Sequence, residues 1–183
     1  GNRLPGRQEK DYTLRLAFEL RDQLKQAGFK VMFTRSSDEF IELSERPERA
    51  RRAGADLFVS LHFNATEAGR AEARGSEVYC LTPVGAASTN ARGEGARSGA
   101  FPGNRNNGRN LLLAYQIQKA LVRALQSGDR GVRRARFEVL RGATMPAVLI
   151  EAGFLSHPEE GKKIFTAEYR RQIARAITEG IQS

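Results

Sequence analysis

Short apolar runs set between segments of helical period decide what this chain can fold into. Residues 56 to 61, DLFVSL, read as a strand that runs out at His62, and residues 147 to 151, AVLIE, as a strand that ends in a carboxylate. Ahead of them, EKDYTLRLAFELRDQLKQA (9–27) puts Leu16, Leu20, Leu24 and Ala27 on one stripe, as an amphipathic helix does, and Gly28 stands at its C-cap. Further strands are predicted at FKVMFTR (29–35), GSEVYCL (75–81) and FEVLR (137–141). Further helices are predicted at 41–53, at 109–127 and in HPEEGKKIF and AEYRRQIARAITEGI. Pro47 belongs in a first turn, so the helix over 41–53 is expected to start near Arg46. Strands alternating with helices predict one α/β domain over residues 1–183, with a mostly parallel or mixed central sheet flanked by helices on both faces.

Composition narrows the function. With 183 residues, 40% of them hydrophobic, the chain can bury a sizeable core and is not of disordered composition. No run approaches the ~18 apolar residues of a membrane span. The formal charge of +9 favours anionic partners: nucleic acid, acidic lipid or an acidic wall polymer. Nucleic acid is the weakest of these, because aromatic residues make up 8% of the chain and no basic–aromatic RNA-binding signature is present. The single cysteine, Cys80, excludes an intrachain disulfide and a cysteine-based zinc cluster. GNRNNG lacks the Gly-Lys-Ser/Thr ending of a phosphate loop, and no serine sits in a Gly-x-Ser-x-Gly elbow.

In open α/β sheets ligands sit beyond the carboxyl ends of the strands. His62 and Glu151 both stand at such ends, and Glu9 opens the first helix. Each has a plain structural reading as well. A histidine after a strand is often a polar residue leaving the core, and a first-turn glutamate favours the helix dipole. Glu151 is harder to explain that way, since a carboxylate between AVLI and AGF is costly to bury without a partner.

The order of these segments is similar to that of the zinc-dependent N-acetylmuramoyl-L-alanine amidases of the amidase-3 family. QEKDYTLRLAFELRDQLKQAGFKVMFTR resembles the family's opening helix and strand. RAGADLFVSLHFNA resembles the strand that carries a metal histidine. GSEVYCL, DRGVRRARFEVLRGATMPAVLIEAGFLSHPEE and RQIARAITEGI follow in the family's order. The resemblance implies hydrolysis of the amide between N-acetylmuramic acid and L-alanine in peptidoglycan. It implies a Zn2+ held by Glu9, His62 and one further histidine, with Glu151 as general base and acid toward a zinc-bound water. Asn64 stands close enough to His62 in sequence to be expected to shape the pocket. It also implies an extracytoplasmic location and an activator protein as a possible partner. Two departures stand out. The family's first histidine lies in an N-terminal strand ending Asp-Pro-Gly-His-Gly-Gly that this chain does not contain, so upstream residues and an export signal are expected in the natural protein. His157, in FLSHPEE, replaces the family's usual Asn and is expected to open a helix before Pro158. A non-catalytic wall-binding domain of the same fold is the alternative. Some relatives carry an inserted helix whose glutamate blocks the zinc. The Gly-, Asn- and Ser-rich stretch 82–108, with Glu94 as its one acid, suits such a helix poorly and is expected to be a mobile or substrate-wrapping loop.

Overall fold

The structure, a computed structural model, describes residues 2–4, 7–67, 71–89 and 99–183. A two-stranded ribbon of β1 (Arg3–Leu4) and β2 (Arg7–Gln8) leads directly into helix α1 (Glu9–Gln26). Helix α2 (Glu45–Arg52), strands β3 (Phe58–Asn64) and β4 (Ser76–Leu81), and helix α3 (Asn107–Leu125) follow. The chain closes with β5 (Asp129–Ala135), the short α4 (Glu138–Arg141), β6 (Ala147–Phe154), α5 (Pro158–Ile164) and α6 (Ala167–Gln182).

The central sheet has the order β3-β6-β4-β5. β3 pairs with β6 in parallel, β4 with β5 in parallel, and β4 with β6 antiparallel. It is therefore the mixed sheet the alternating pattern predicts. One face carries Phe63, Val78, Val148 and Ile150 into a core shared with Leu16 and Leu20 of α1, Ile117 and Leu121 of α3, and Ile173 and Ile177 of α6. The other face carries Phe58, Tyr79, Leu81 and Leu149 against Ala50 of α2 and Val139 and Leu140 of α4. Helices thus cover both faces, as layered α/β packing requires. The α3–α6 crossing depends on Gly180: a Cβ there would lie 2.6 Å from the Ile117 Cα, so only glycine permits the approach.

Two predicted strands are corrected. Residues 29–35 form no strand, because extended backbone becomes a strand only by pairing and no described residue offers this segment a ladder. It is held instead by side chains. Phe33 meets Phe18 of α1 edge-on at 5.3 Å, and Arg35 Nη2 donates to the Lys10 carbonyl at 2.7 Å. FEVLR is not a strand either: Glu138–Arg141 is α4, and the strand beside β4 is the preceding DRGVRRA. Helix α2 begins at Glu45 and places Pro47 within its first turn. The stretch after β4 ends in a 3-10 turn at Pro102–Asn106, and α3 starts at Asn107, two residues earlier than predicted.

Candidate active site

The sheet register lines up one polar row. His62 of β3 is the partner of Glu151 of β6, and Glu151 is the partner of Glu77 of β4. The row continues the face that carries Phe58, Leu149 and Tyr79, where the apolar cluster under α2 and α4 gives way to solvent. β3 extends through His62 to Asn64, so the histidine stands inside the paired strand rather than after it.

Glu9 joins the row from the helix layer. As the first residue of α1 it comes over the end of β3, and it is only 4% exposed. Its Oε1 lies 2.9 Å from His62 Nδ1 and accepts from the Phe63 backbone N–H at 3.2 Å. Its Oε2 accepts from the Asn2 N–H at 2.6 Å, and the Asn2 side chain donates to the Phe63 carbonyl at 2.9 Å. Burial alone would raise the Glu9 carboxyl; the hydrogen bond and charge of His62, with the N–H groups of Asn2 and Phe63, outweigh it and hold Glu9 below the ordinary carboxylate value. The other ring nitrogen of His62, Nε2, is 3.2 Å from Ser60 Oγ.

Glu151 is in the opposite condition. The residue is partly exposed, yet its Oε2 is enclosed and has no hydrogen-bond partner among the described residues. Burial raises its carboxyl well above the ordinary value, and the negative charges of Glu9 and Glu77 push the same way. One carboxyl held ionised and a second made reluctant to ionise, along one row, is an arrangement that separates ligand and acid–base roles.

Glu77 is buried and fully partnered. Its Oε2 accepts from Arg130 Nε at 3.0 Å and forms an ion pair with Arg133, whose Nε is 2.8 Å away without hydrogen-bond geometry, and its Oε1 accepts from Tyr79 Oη at 3.0 Å. Asn64 Nδ2 approaches the same Oε1 at 3.4 Å. Asn64 thus faces Glu77, two strands away from its own. Arg130 and Arg133 are three positions apart and would point to opposite faces of a regular strand. A bulge removes the conflict: Ser76 pairs with Asp129 but Val78 with Val132, so β5 has one extra residue, and Gly131 takes the positive φ of +80° there.

The structure therefore brings together Glu9, His62 and Glu151, with Asn64 at the margin. His157 stands apart as the N-cap of α5, its Nδ1 accepting from the N–H groups of Glu159 and Glu160 at 3.2 and 3.1 Å. Glu94 lies outside the described residues. Sequence reasoning missed Glu77, Arg130 and Arg133. A signal for Glu77 existed: a charge inside the apolar strand GSEVYCL is the same anomaly that marks Glu151 in AVLIE.

A catalytic zinc takes three protein ligands of the His, Glu and Asp type and keeps one open position. The touching pair Glu9–His62 fits two of those three positions in residue type and proximity, and the enclosed Glu151 oxygen beside it fits the proton acceptor such a site needs. No group of three His, Cys, Asp or Glu able to hold a metal is found among the described residues.

Comparison with known proteins points the same way. The family model Amidase_3, N-acetylmuramoyl-L-alanine amidase, matches residues 1–183. The chain is 35% identical over 198 residues to the N-acetylmuramoyl-L-alanine amidase AmiC of Neisseria meningitidis, an alignment spanning 97% of this chain and 47% of that protein. Its fold is similar to that of an N-acetylmuramoyl-L-alanine amidase from Clostridium difficile 630, with a TM-score of 0.79 at 33% identity, covering 96% of this chain and 83% of the other. It is also similar to the CwlD amidase from Clostridioides difficile, solved in complex with the GerS lipoprotein, with a TM-score of 0.77 at 26% identity over 95% of this chain and 84% of that one.

Proposed function

We propose, for a chain that belongs to the N-acetylmuramoyl-L-alanine amidase family, that it hydrolyses the amide joining N-acetylmuramic acid to L-alanine in peptidoglycan. The observation that carries this reading is Glu151, in register with His62, its enclosed Oε2 without a hydrogen-bond partner among the described residues, while His62 itself touches Glu9.

Glu9 and His62 are two of the residues that would hold zinc. Zinc bound there supplies a Lewis acid for the scissile carbonyl and lowers the pKa of water toward neutrality. Glu151 accepts the proton of the attacking water and passes it to the departing alanine nitrogen. Its raised carboxyl suits that return step, because an acid that releases its proton only reluctantly is still protonated when the amine leaves. The cluster under α2 and α4 closes the inner end of the row and excludes water from the far side of Glu151. Ser60 would orient the His62 ring through Nε2, leaving Nδ1, on the Glu9 side, as the nitrogen available to the metal.

Peptidoglycan lies outside the cytoplasmic membrane, so the proposal places the working domain there. No helix among the described residues is long and apolar enough to cross a membrane. The CwlD amidase, solved in complex with the GerS lipoprotein, supports a protein partner for this chain as well.

Incubation with purified peptidoglycan, followed by mass spectrometry of the soluble peptides, tests the reading. The expected products are stem peptides with a free L-alanine amino terminus, and Glu151→Gln lowers their rate of release by ~10²–10⁴. Tight wall binding without any released peptide would instead identify a non-catalytic wall-binding domain.

A further inference from the structure

The Glu77 cluster lies beyond Glu151 on the side away from His62 and Glu9, and nothing in the hydrolytic chemistry uses its two arginines. Arg130 Nε donates to Glu77 Oε2 at 3.0 Å, and Arg133 pairs with the same oxygen by charge, its Nε 2.8 Å away but without hydrogen-bond geometry. The terminal nitrogens Nη1 and Nη2 of Arg130 and Arg133 have no hydrogen-bond partner among the described residues. The two side chains are 34% and 29% exposed, so these nitrogens reach solvent while the stems are held. The Arg130 guanidinium also lies 4.9 Å above the Phe154 ring, which restricts its plane. Two guanidinium charges against one carboxylate leave one positive charge in excess. A planar fork with free terminal N–H groups is the form in which arginine receives a carboxylate.

We infer that Arg130 and Arg133, fixed by Glu77 and the Gly131 bulge, form a subsite for a carboxylate of the stem peptide, on the leaving-group side of the scissile amide. The inference rests on the amidase reading for its choice of ligand. The leaving nitrogen must lie at Glu151, which protonates it, so the peptide continues across β4 toward β5. Both guanidinium groups lean back from β5 over Glu77 on β4, so they lie one strand spacing, ~4.8 Å, from β6. One residue at ~3.3–3.6 Å plus one hydrogen bond of ~3 Å spans that distance, which puts the next residue's carboxylate within their reach. The second residue of a stem peptide is D-glutamate joined through its side-chain carboxyl, so its α-carboxylate is free unless it is amidated to isoglutamine. The subsite therefore distinguishes the free acid from the amide.

The test compares muramoyl-L-alanyl-D-glutamate with muramoyl-L-alanyl-D-isoglutamine, each extended by the same third residue. The wild-type protein is expected to cleave the acid with roughly 10- to 100-fold higher kcat/KM, mostly through KM, the range of one charge-assisted hydrogen-bonded pair. Arg130→Lys and Arg133→Lys keep a cation for the buried Glu77 but lose the free fork. They are expected to level the two substrates while melting near the wild type. Binding of the two peptide products, measured by calorimetry, gives a second readout independent of turnover. A preference for the acid in binding without any cleavage would uphold the subsite and refute the amidase reading. Equal handling of acid and amide by the wild type, in turnover or binding, would overturn the subsite, as would lysine variants that slow both substrates alike and keep their ratio.

Discussion

Glu151→Gln tests the site through stability as well as activity. The enclosed Oε2 has no partner, and the negative charges of Glu9 and Glu77 lie near it. A buried polar group without a partner costs about 1–3 kcal/mol. Glutamine has the same shape and carries no charge, so the penalty on the ionised form is removed. In metal-free protein the variant is therefore expected to be more stable at pH 8 by about 1–3 kcal/mol, a rise of about 3–9 °C in Tm for a domain of this size. The sign follows from proton linkage. The folded state holds the Glu151 proton more tightly than the unfolded chain, so native stability is highest below the unfolded pKa of about 4.3 and falls as pH rises through the raised folded value. The gap between variant and wild type should thus be small near pH 4 and widen toward pH 8. Thermal unfolding followed by circular dichroism, with chelator present, measures it. A variant less stable than wild type at pH 8, or a gap that does not change with pH, would refute the account of Glu151 as a carboxyl whose ionisation strains the fold.

The other expectations follow from single contacts. In a domain complete with the third ligand, His62→Ala or Glu9→Ala should reduce bound zinc from about one per chain to near none, by metal analysis of protein otherwise loaded with zinc; full occupancy in His62→Ala would remove His62 from the ligand set. Gly180→Ala forces a Cβ to within 2.6 Å of the Ile117 backbone and should cost about 3 kcal/mol by chemical denaturation, as α3 and α6 separate. Gly131→Ala meets no neighbour within 4 Å but must hold φ near +80°, so a smaller loss of about 1–2 kcal/mol is expected, and a larger one would point to a contact.

What the sequence disclosed and what it hid divide along local and distant interactions. The stripe of Leu16 and Leu20 announces α1, and the runs ending at His62 and Glu151 announce β3 and β6, because each faces a core that any apolar partner can complete. β5 was invisible for the opposite reason. DRGVRRA reads as a charged loop, and becomes a strand by pairing with β4, where Glu77, 53 residues away from Arg130, offsets part of its charge. FEVLR has strand-like residues, but Val139 and Leu140 need only one turn of helix to reach the cluster with Leu149. At the site, Glu9 and His62 are 53 residues apart and meet through the docking of α1 over β3. The resemblance to known amidases made that pairing readable, whereas no periodicity in the chain would have.

The reversed direction of β4 has a consequence for where substrate selectivity can evolve. Because β4 enters the sheet at the level where β3 and β6 finish, the chain passes the row of His62, Glu151 and Glu77 on its way in, and residues 82–89 depart from the far end. The neighbours of the row are instead the segments that leave β3 after Asn64, arrive at β4 before Ser76, precede β5 at Asp129 and follow β6 after Phe154. Length changes after β4 can therefore accumulate with little effect on the carboxylate row, while a single insertion just before Ser76 or Asp129 would shift the arginines that face the peptide.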